Sequence, residues 1–356
     1  MEGLIELGRQ DMAPSRRGVL GVGLLSVAVT IPDWQDVVGR AEAVSSGRSN
    51  RIGMPEVRMV VDMTTKVSEL DDQFGGRHAR PMAAAFLVNT VAGYLHADAP
   101  SDVRKAMMSA ASDLCYLTGY MAVDEGLHGL AQRYYLKALE LAGTAGDHLT
   151  YCTTLRGMSV QLGDLGYGAR ALELADAAAA ASLAAGPRMR AFLAGQQAHA
   201  AALLDERDRA MRHIREAEVA MDRAESPVTT FGSYDPAALH YHISQVRYEL
   251  GDVSGSVAAM ARSNEIRHDI YRRTRVRHGV ILAERQFRIG HLEAACQSWK
   301  AALGEYPLVQ SGRVDTGMRS MIRLTRPHLG NAQVRALHDQ ARAVLPRAMF
   351  TRAGTG

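Results

Sequence analysis

Glu125 and His128, within VDEGLHG, have the E-x-x-H spacing that sets two metal-binding side chains on one helical face. Di-iron helical bundles need two copies of that motif and two further glutamates, whereas this sequence holds one copy, beside Gly126 at a turn. The pair reads as a turn acid next to a packing histidine. His240 and His242, in HYH, lie two residues apart. On a helix such side chains diverge, and no third ligand nearby completes a zinc site. The run YRRTRVRH, residues 271–278, gathers Arg272, Arg273, Arg275, Arg277 and His278. Guanidinium forks at that density suit a clamp for a carboxylate or phosphate, but a solvated helix start is the plainer reading. No nucleophile–histidine–acid set, glycine-rich phosphate loop or H-E-x-x-H is readable. No catalytic residue, metal or cofactor is therefore assigned.

Composition narrows the partners. The 41 basic and 38 acidic residues leave a formal charge of +3, too balanced for a nucleic-acid footprint. Cys115, Cys152 and Cys296 are odd in number and far apart, which is no disulfide framework and fits a reducing compartment. The one long apolar run, residues 18–32, is short for a bilayer span.

The elements that must carry these residues are repetitive. Stretches opening at Gly126, Gly166, Asp205, Gly251 and Gly290 share a pattern. Five residues on stands a small residue: Ala131, Ala171, Ala210, Ser256, Ala295. Nine on stand Tyr135, Ala175, Ile214, Met260 and Trp299, large in all but the second. Twelve on the residue is small again: Ala138, Ala178, Ala217, Ser263, Ala302. Gly or Asp tolerates the left-handed geometry that ends a helix, and small residues let two helices approach closely. The pattern predicts the second halves of tetratricopeptide-like hairpins in an all-α solenoid. The turns are 40, 39, 46 and 39 residues apart, longer than the standard 34-residue repeat. Repeats are expected at about 112–146, 147–186, 187–226, 235–271 and 272–307, within a solenoid spanning 51–356. A helix over PEVRMVVDMTTKVSELDDQF should bury Val57, Val60, Val61, Thr64, Val67 and Phe74. A helix capped by Ser101 follows, and one from Asn331 should close the array.

Several long strings, among them RRGVLGVGLLSVAVTIPDW, ELDDQFGGRHARPMAAAFLVNTVAGYL, DLCYLTGYMAVDEGLHGLAQRYYLKALELA, TFGSYDPAALHYH and YRRTRVRH, resemble the C-terminal tetratricopeptide sensory region of actinobacterial helix-turn-helix regulators. In that family the region follows a DNA-binding domain, and EGLIELGRQDMAPSRR resembles the tail of the connection between them. The resemblance implies a cytoplasmic regulatory module without direct nucleic-acid contact in this chain. Residues 1–50 then form a linker with an apolar helix, packed on the first solenoid helices or on a second copy in a homodimer. Ser15-Arg16-Arg17 ahead of the apolar run also matches a twin-arginine export signal, which is the alternative for localisation.

In tetratricopeptide arrays the first helix of each repeat lines the concave face. Counting back eleven, fifteen and eighteen residues from each small residue gives groove positions. They are Asp113, Tyr116 and Tyr120, then Arg156, His199, Tyr241 and Gln245, then Arg277 and Glu284. Tyrosines offer rigid contact area, while arginine and acids fix charged ends. The expected function is regulatory binding of a peptide, small-molecule effector or protein partner in that groove, with no membrane. The alternative is a biosynthetic enzyme on a repurposed tetratricopeptide scaffold.

Overall fold

The computed structural model describes residues 2–12, 51–182, 185–224 and 234–350. The apolar stretch 18–32 and its twin-arginine reading lie outside the described residues. The described chain is an all-α solenoid. After α1 (Glu2–Met12) come α2 (Met54–Phe74), α3 (Gly76–Phe86), a π-helical turn Leu87–Val91, and α4 (Ala92–His96). The stacked pairs are α5 (Ser101–Asp124) with α6 (His128–Ala145), α7 (His148–Asp164) with α8 (Gly168–Ala180), and α9 (Pro187–Ala202) with α10 (Arg207–Asp222). Then come α11 (Pro236–Glu249) with α12 (Val253–Glu265), and α13 (Arg272–Arg288) with α14 (Leu292–Glu305). Helices α15 (Gly312–Thr325) and α16 (Ala332–Val344) follow, packed on α13 and α14 respectively. Only one isolated bridge, Arg51 to Asp98, interrupts the helical pattern among the described residues.

The five turns work as their residues dictate. Gly126, Gly166, Gly251 and Gly290 have φ of 78°, 83°, 84° and 83°, and Asp205 takes the same left-handed region at 57°. In each, the next N–H reaches the carbonyl five residues back, for example Leu127 to Ala122 at 2.9 Å and His291 to Gln286 at 2.9 Å. This satisfies a carbonyl that the ending helix leaves open.

The small positions are the seams between helices. All ten are buried, as are Tyr135, Ile214, Met260 and Trp299 between them. A partner set lies twelve residues earlier, on each first helix: Gly119, Ser159, Ala198, Ser244 and Ala283, all buried. The Ser159 hydroxyl donates to the Ala171 carbonyl and the Ser244 hydroxyl to that of Ser256, each at 2.7 Å. A Cβ on Gly119 would stand 2.9 Å from the Tyr135 ring. Small residues thus meet small residues across every hairpin, and backbone polar groups gain side-chain donors where helices touch.

Three local expectations are corrected. Val61 is exposed and Phe74 only half-buried, because α2 buries only Val57, Val60, Thr64, Val67 and Asp71 on its inner side. Ser101 is the first helical residue and makes no cap; Pro100 holds the N-cap. The helix after Asn331 is indeed capped by that side chain, but it does not close the array alone: α15, which the repeat pattern does not mark, precedes it and packs on α13.

The array returns on itself. Helix α2 packs on α5 and also on α13, about 200 residues away along the chain. At its end, Gln310 N–H donates to the Phe74 carbonyl at 2.7 Å, and Arg77 N–H to the Gln310 carbonyl at 3.3 Å. Gly75 has φ 93°, and a Cβ there would lie 2.3 Å from the Gln310 oxygen. Arg77 adds an ion pair to Asp315 at 3.0 Å, and Arg313 pairs with Asp164. The inner face is therefore not an open groove: α2 and α15 close across it.

Candidate functional site

Closure leaves two cavities along the inner face. The first has a volume of about 360 Å³. One wall is α2, with Thr65, Ser68 and Glu69; the others come from α5, α7, α9, α11 and α13. The second, about 780 Å³, lies between the ends of α5 and α7 and the faces of α13 and α15.

The predicted groove residues divide among three places. Tyr116, Tyr120, Arg156, Tyr241 and Arg277 converge on the first cavity. Arg277 also reaches the second, with Glu284. The remaining three line neither. Asp113 accepts a hydrogen bond from the Thr150 hydroxyl at 2.8 Å, and burial pushes its carboxyl up to about 6. Gln245 accepts from Arg285. His199 is buried, and its imidazole is pushed down to about 4 by burial, against the pull of Asp164.

The first cavity is built of rings and guanidinium groups. Arg156 lies over the Phe192 ring at 4.1 Å and approaches His242 Nε2 at 3.5 Å. The Tyr234 hydroxyl meets His242 Nδ1 at 2.7 Å. Tyr241 stacks flat on His278, with centroids 4.4 Å apart and planes 3° apart, and Arg277 sits over the same tyrosine at 6.0 Å. Tyr116 is buried, and burial pushes its phenol up to about 12.

Between the two cavities lies a buried ion cluster. Arg273 contacts Asp71 at 2.9 Å, Asp72 at 3.5 Å and Asp124 at 3.7 Å, while its Nε donates to the Asp71 carbonyl at 3.1 Å. Burial raises the Asp71 and Asp72 carboxyls, with Arg273 pulling them back; Asp72 comes to about 6. This cluster fastens α2 to α5 and α13, and it accounts for the cavity's carboxylates. Glu69, the remaining acid, pairs with Lys66 at 2.9 Å.

Of the basic run, Arg272 pairs with Glu305 and Arg275 with Asp269 near the surface, while Arg273, Arg277 and His278 turn inward. A solvated helix start describes only half of it. His278 lies well below the ordinary imidazole range, first through burial and then through Arg267, Arg277, Arg285 and Arg273. His242 is lowered likewise by burial and Arg156. Both rings stay neutral at pH 7.

The other motifs are structural. Glu125 pairs with Arg80 at 2.8 Å, and Arg80 also pairs with Asp11, which ties α1 to the first hairpin. The Tyr134 hydroxyl donates to the same Asp11 at 2.9 Å. HYH is helical, with His240 on the far side from His242. Among the described residues no group of three or more His, Cys, Asp or Glu is placed to hold a metal. The three thiols are buried, and burial pushes Cys115 and Cys152 up to about 12, out of the reactive range. No described helix is long and apolar enough to cross a membrane.

Sequence reasoning missed several contributors to the cavity, Tyr234 among them. Phe192 sits on the eighteen-residue register already used for Asp113 and Arg277. Arg267 precedes the basic run, and the α2 residues belong to a helix outside the repeats.

No family model matches the sequence, and no curated protein matches it. Among solved structures, the chain is similar to a Rap protein complexed with competence and sporulation factor, at 14% identity and a TM-score of 0.46, over 81% of this chain and 87% of that one.

Proposed function

We propose that this chain is a regulatory solenoid that holds a small effector or short peptide in the cavity between α2 and the inner helices. The single observation behind this reading is the wall of that cavity. Five side chains on the repeat register, Tyr116, Tyr120, Arg156, Tyr241 and Arg277, meet there around about 360 Å³. Pockets of roughly 300–1,000 Å³ suit drug-sized ligands. A solvated structural seam would not need three tyrosines and two arginines aimed at one space.

The mechanism follows from closure. Thr65, Ser68 and Glu69 of α2 face residues of α11 and α13 across the cavity. A ligand touching both walls binds the closed form better than one with α2 released, and so shifts the population toward it. The shift is read at α1, which shares Arg80 with the first hairpin turn. The finer placement, as the sensory region of an actinobacterial helix-turn-helix regulator acting in the cytoplasm, rests on the sequence resemblance. In that setting α1 belongs to the connection toward a DNA-binding domain.

The catalytic alternative draws on one feature, His278, whose buried Nδ1 has no partner. The other titratable groups of the cavity are committed, Asp71 and Asp72 to Arg273 and His242 to Tyr234 and Arg156. A lone histidine without an orienting acid or a nucleophile gives no reaction class.

The test is native mass spectrometry of the chain isolated from its own host. Wild type should carry a ligand adduct, and Ala238→Trp, which fills the cavity from α11, should lose it. An adduct retained by the variant, or no adduct under any growth condition, rejects the proposal.

A further inference from the structure

We infer that the ligand of this cavity, on the reading that the cavity binds one, carries an oxyanion head seated among Arg156, Arg267 and Arg277, with a planar or apolar body against the tyrosines.

Charge carries the inference. Four arginines line the space, and one of them, Arg273, is held by three aspartates. None of the other three is ion-paired among the described residues. Arg267 donates to the Ser263 hydroxyl at 3.3 Å and feels Asp235 and Asp72 electrostatically, without forming an ion pair. Arg156 is held by the face of Phe192, by His242 and by Tyr116, all uncharged. Arg277 sits over the Tyr241 ring and feels the Asp164 carboxylate across the second cavity, without forming an ion pair. The acids on the same walls each have an ion-pair partner, Asp71 and Asp72 in Arg273 and Glu69 in Lys66, although the buried Oδ1 of Asp71 makes no hydrogen bond. The cavity therefore presents three guanidinium groups without an ion-pair partner among the described residues, whereas each of its carboxylates has one.

Two atoms sharpen this. The Nε–H of Arg156 and that of Arg267 are buried and make no hydrogen bond. Both are donors removed from water without an acceptor, which folding normally avoids. Other buried arginines among the described residues do reach hydrogen-bond acceptors. Arg285 donates to Ser244, Ser256 and Gln245, and Arg80 to Glu125. A carboxylate or phosphate supplies several lone pairs at once, and arginine's planar fork suits bidentate pairing with either. The rest of the wall, with Tyr120, Tyr234 and the Tyr241–His278 stack, offers ring faces and edges that suit a planar or aliphatic body.

Calorimetric titration of the full chain tests the charge. The probes are N-acetylphenylalanine and its neutral amide, and phenyl phosphate and its neutral counterpart benzyl alcohol. At least one anion should bind saturably at one per chain, with its neutral counterpart about tenfold weaker or worse. Arg156→Gln and Arg277→Gln should each lose that preference, while Arg277→Lys keeps most of it; circular dichroism checks that each variant folds. A carboxylate that outperforms the phosphate identifies a ligand with a carboxylic end, and the reverse identifies a phosphorylated one. Equal binding of anion and neutral partner, abolished by Ala238→Trp, overturns the oxyanion head and leaves the cavity reading standing. Binding that survives Ala238→Trp removes the cavity reading itself. No binding of any probe at millimolar concentration overturns the inference.

Discussion

Gly75→Ala should release α2 from the last repeats without touching the cavity wall. Gly75 combines φ 93° with ψ 163°, a region essentially restricted to glycine, so an alanine there stores about 1–3 kcal/mol of backbone strain. Its Cβ would also stand 2.3 Å from the Gln310 oxygen and 2.8 Å from the Gln310 carbonyl carbon. These are backbone atoms that cannot swing aside as a side-chain tip would. Relieving the overlap breaks the bonds from Gln310 N–H to Phe74 and from Arg77 N–H to Gln310, each contributing about 1 kcal/mol net. The sum is on the order of 3 kcal/mol against local closure, which at 1.4 kcal/mol per tenfold is about a hundredfold in the opening equilibrium. Hydrogen exchange read by mass spectrometry should show the amides of α2 and of residues 309–315 exchanging about a hundredfold faster, while α7 and α8 stay unchanged. Gly93→Ala is the control, because nothing lies within 4 Å of where its Cβ would stand and a helical glycine replaced by alanine is stabilising. Equal exchange of α2 in the two variants would refute the claim that α2 is clamped to α13 and α15.

Further outcomes follow from single residues. Arg273→Leu leaves Asp71 and Asp124 buried without a cation and should cost about 3–5 kcal/mol in urea unfolding, far more than loss of the exposed Lys66–Glu69 pair. Gly166→Ala has free space around its Cβ, so its cost in the same assay should be the left-handed strain alone, about 1 kcal/mol. His199 has a folded pKa of about 4 against 6.5 unfolded, so its stabilising contribution is complete above pH 6.5 and is lost as pH falls below it. Between pH 7.5 and 5 that loss is about 2 kcal/mol, and His199→Gln should lose correspondingly less stability over the same interval than wild type does. Asp72 and Asp113, raised by burial, act in the opposite direction in the same window, so the comparison must be the difference between variant and wild type.

The repeat was readable because its determinants are local. A left-handed residue, a small residue five on and another twelve on are fixed by one hairpin's geometry, and Asp205 fits among the glycines because aspartate tolerates that region. The same register led to Tyr116, Arg156 and Tyr241, since equivalent positions on successive first helices point toward one axis. What did not show was everything set by closure. The contact of Asp71 with Arg273 spans about 200 residues and follows from the summed rotation of five repeats, which no short motif encodes. Arg273 therefore looked like one more solvated charge, and α2 like an ordinary flanking helix. Helix α15 escaped because it is entered through the short 3₁₀ turn Tyr306–Leu308 and left through Arg326–His328, not through a glycine turn.

The central claim is that a ligand sits between α2 and the inner helices. Hydrogen exchange of the full chain, with and without the small-molecule fraction of its host, measures that most directly. The account predicts added protection at Thr65–Asp72 and at Thr274–His278 together, the two walls of one cavity. Protection confined to outer faces, such as α10 or α12, would contradict it.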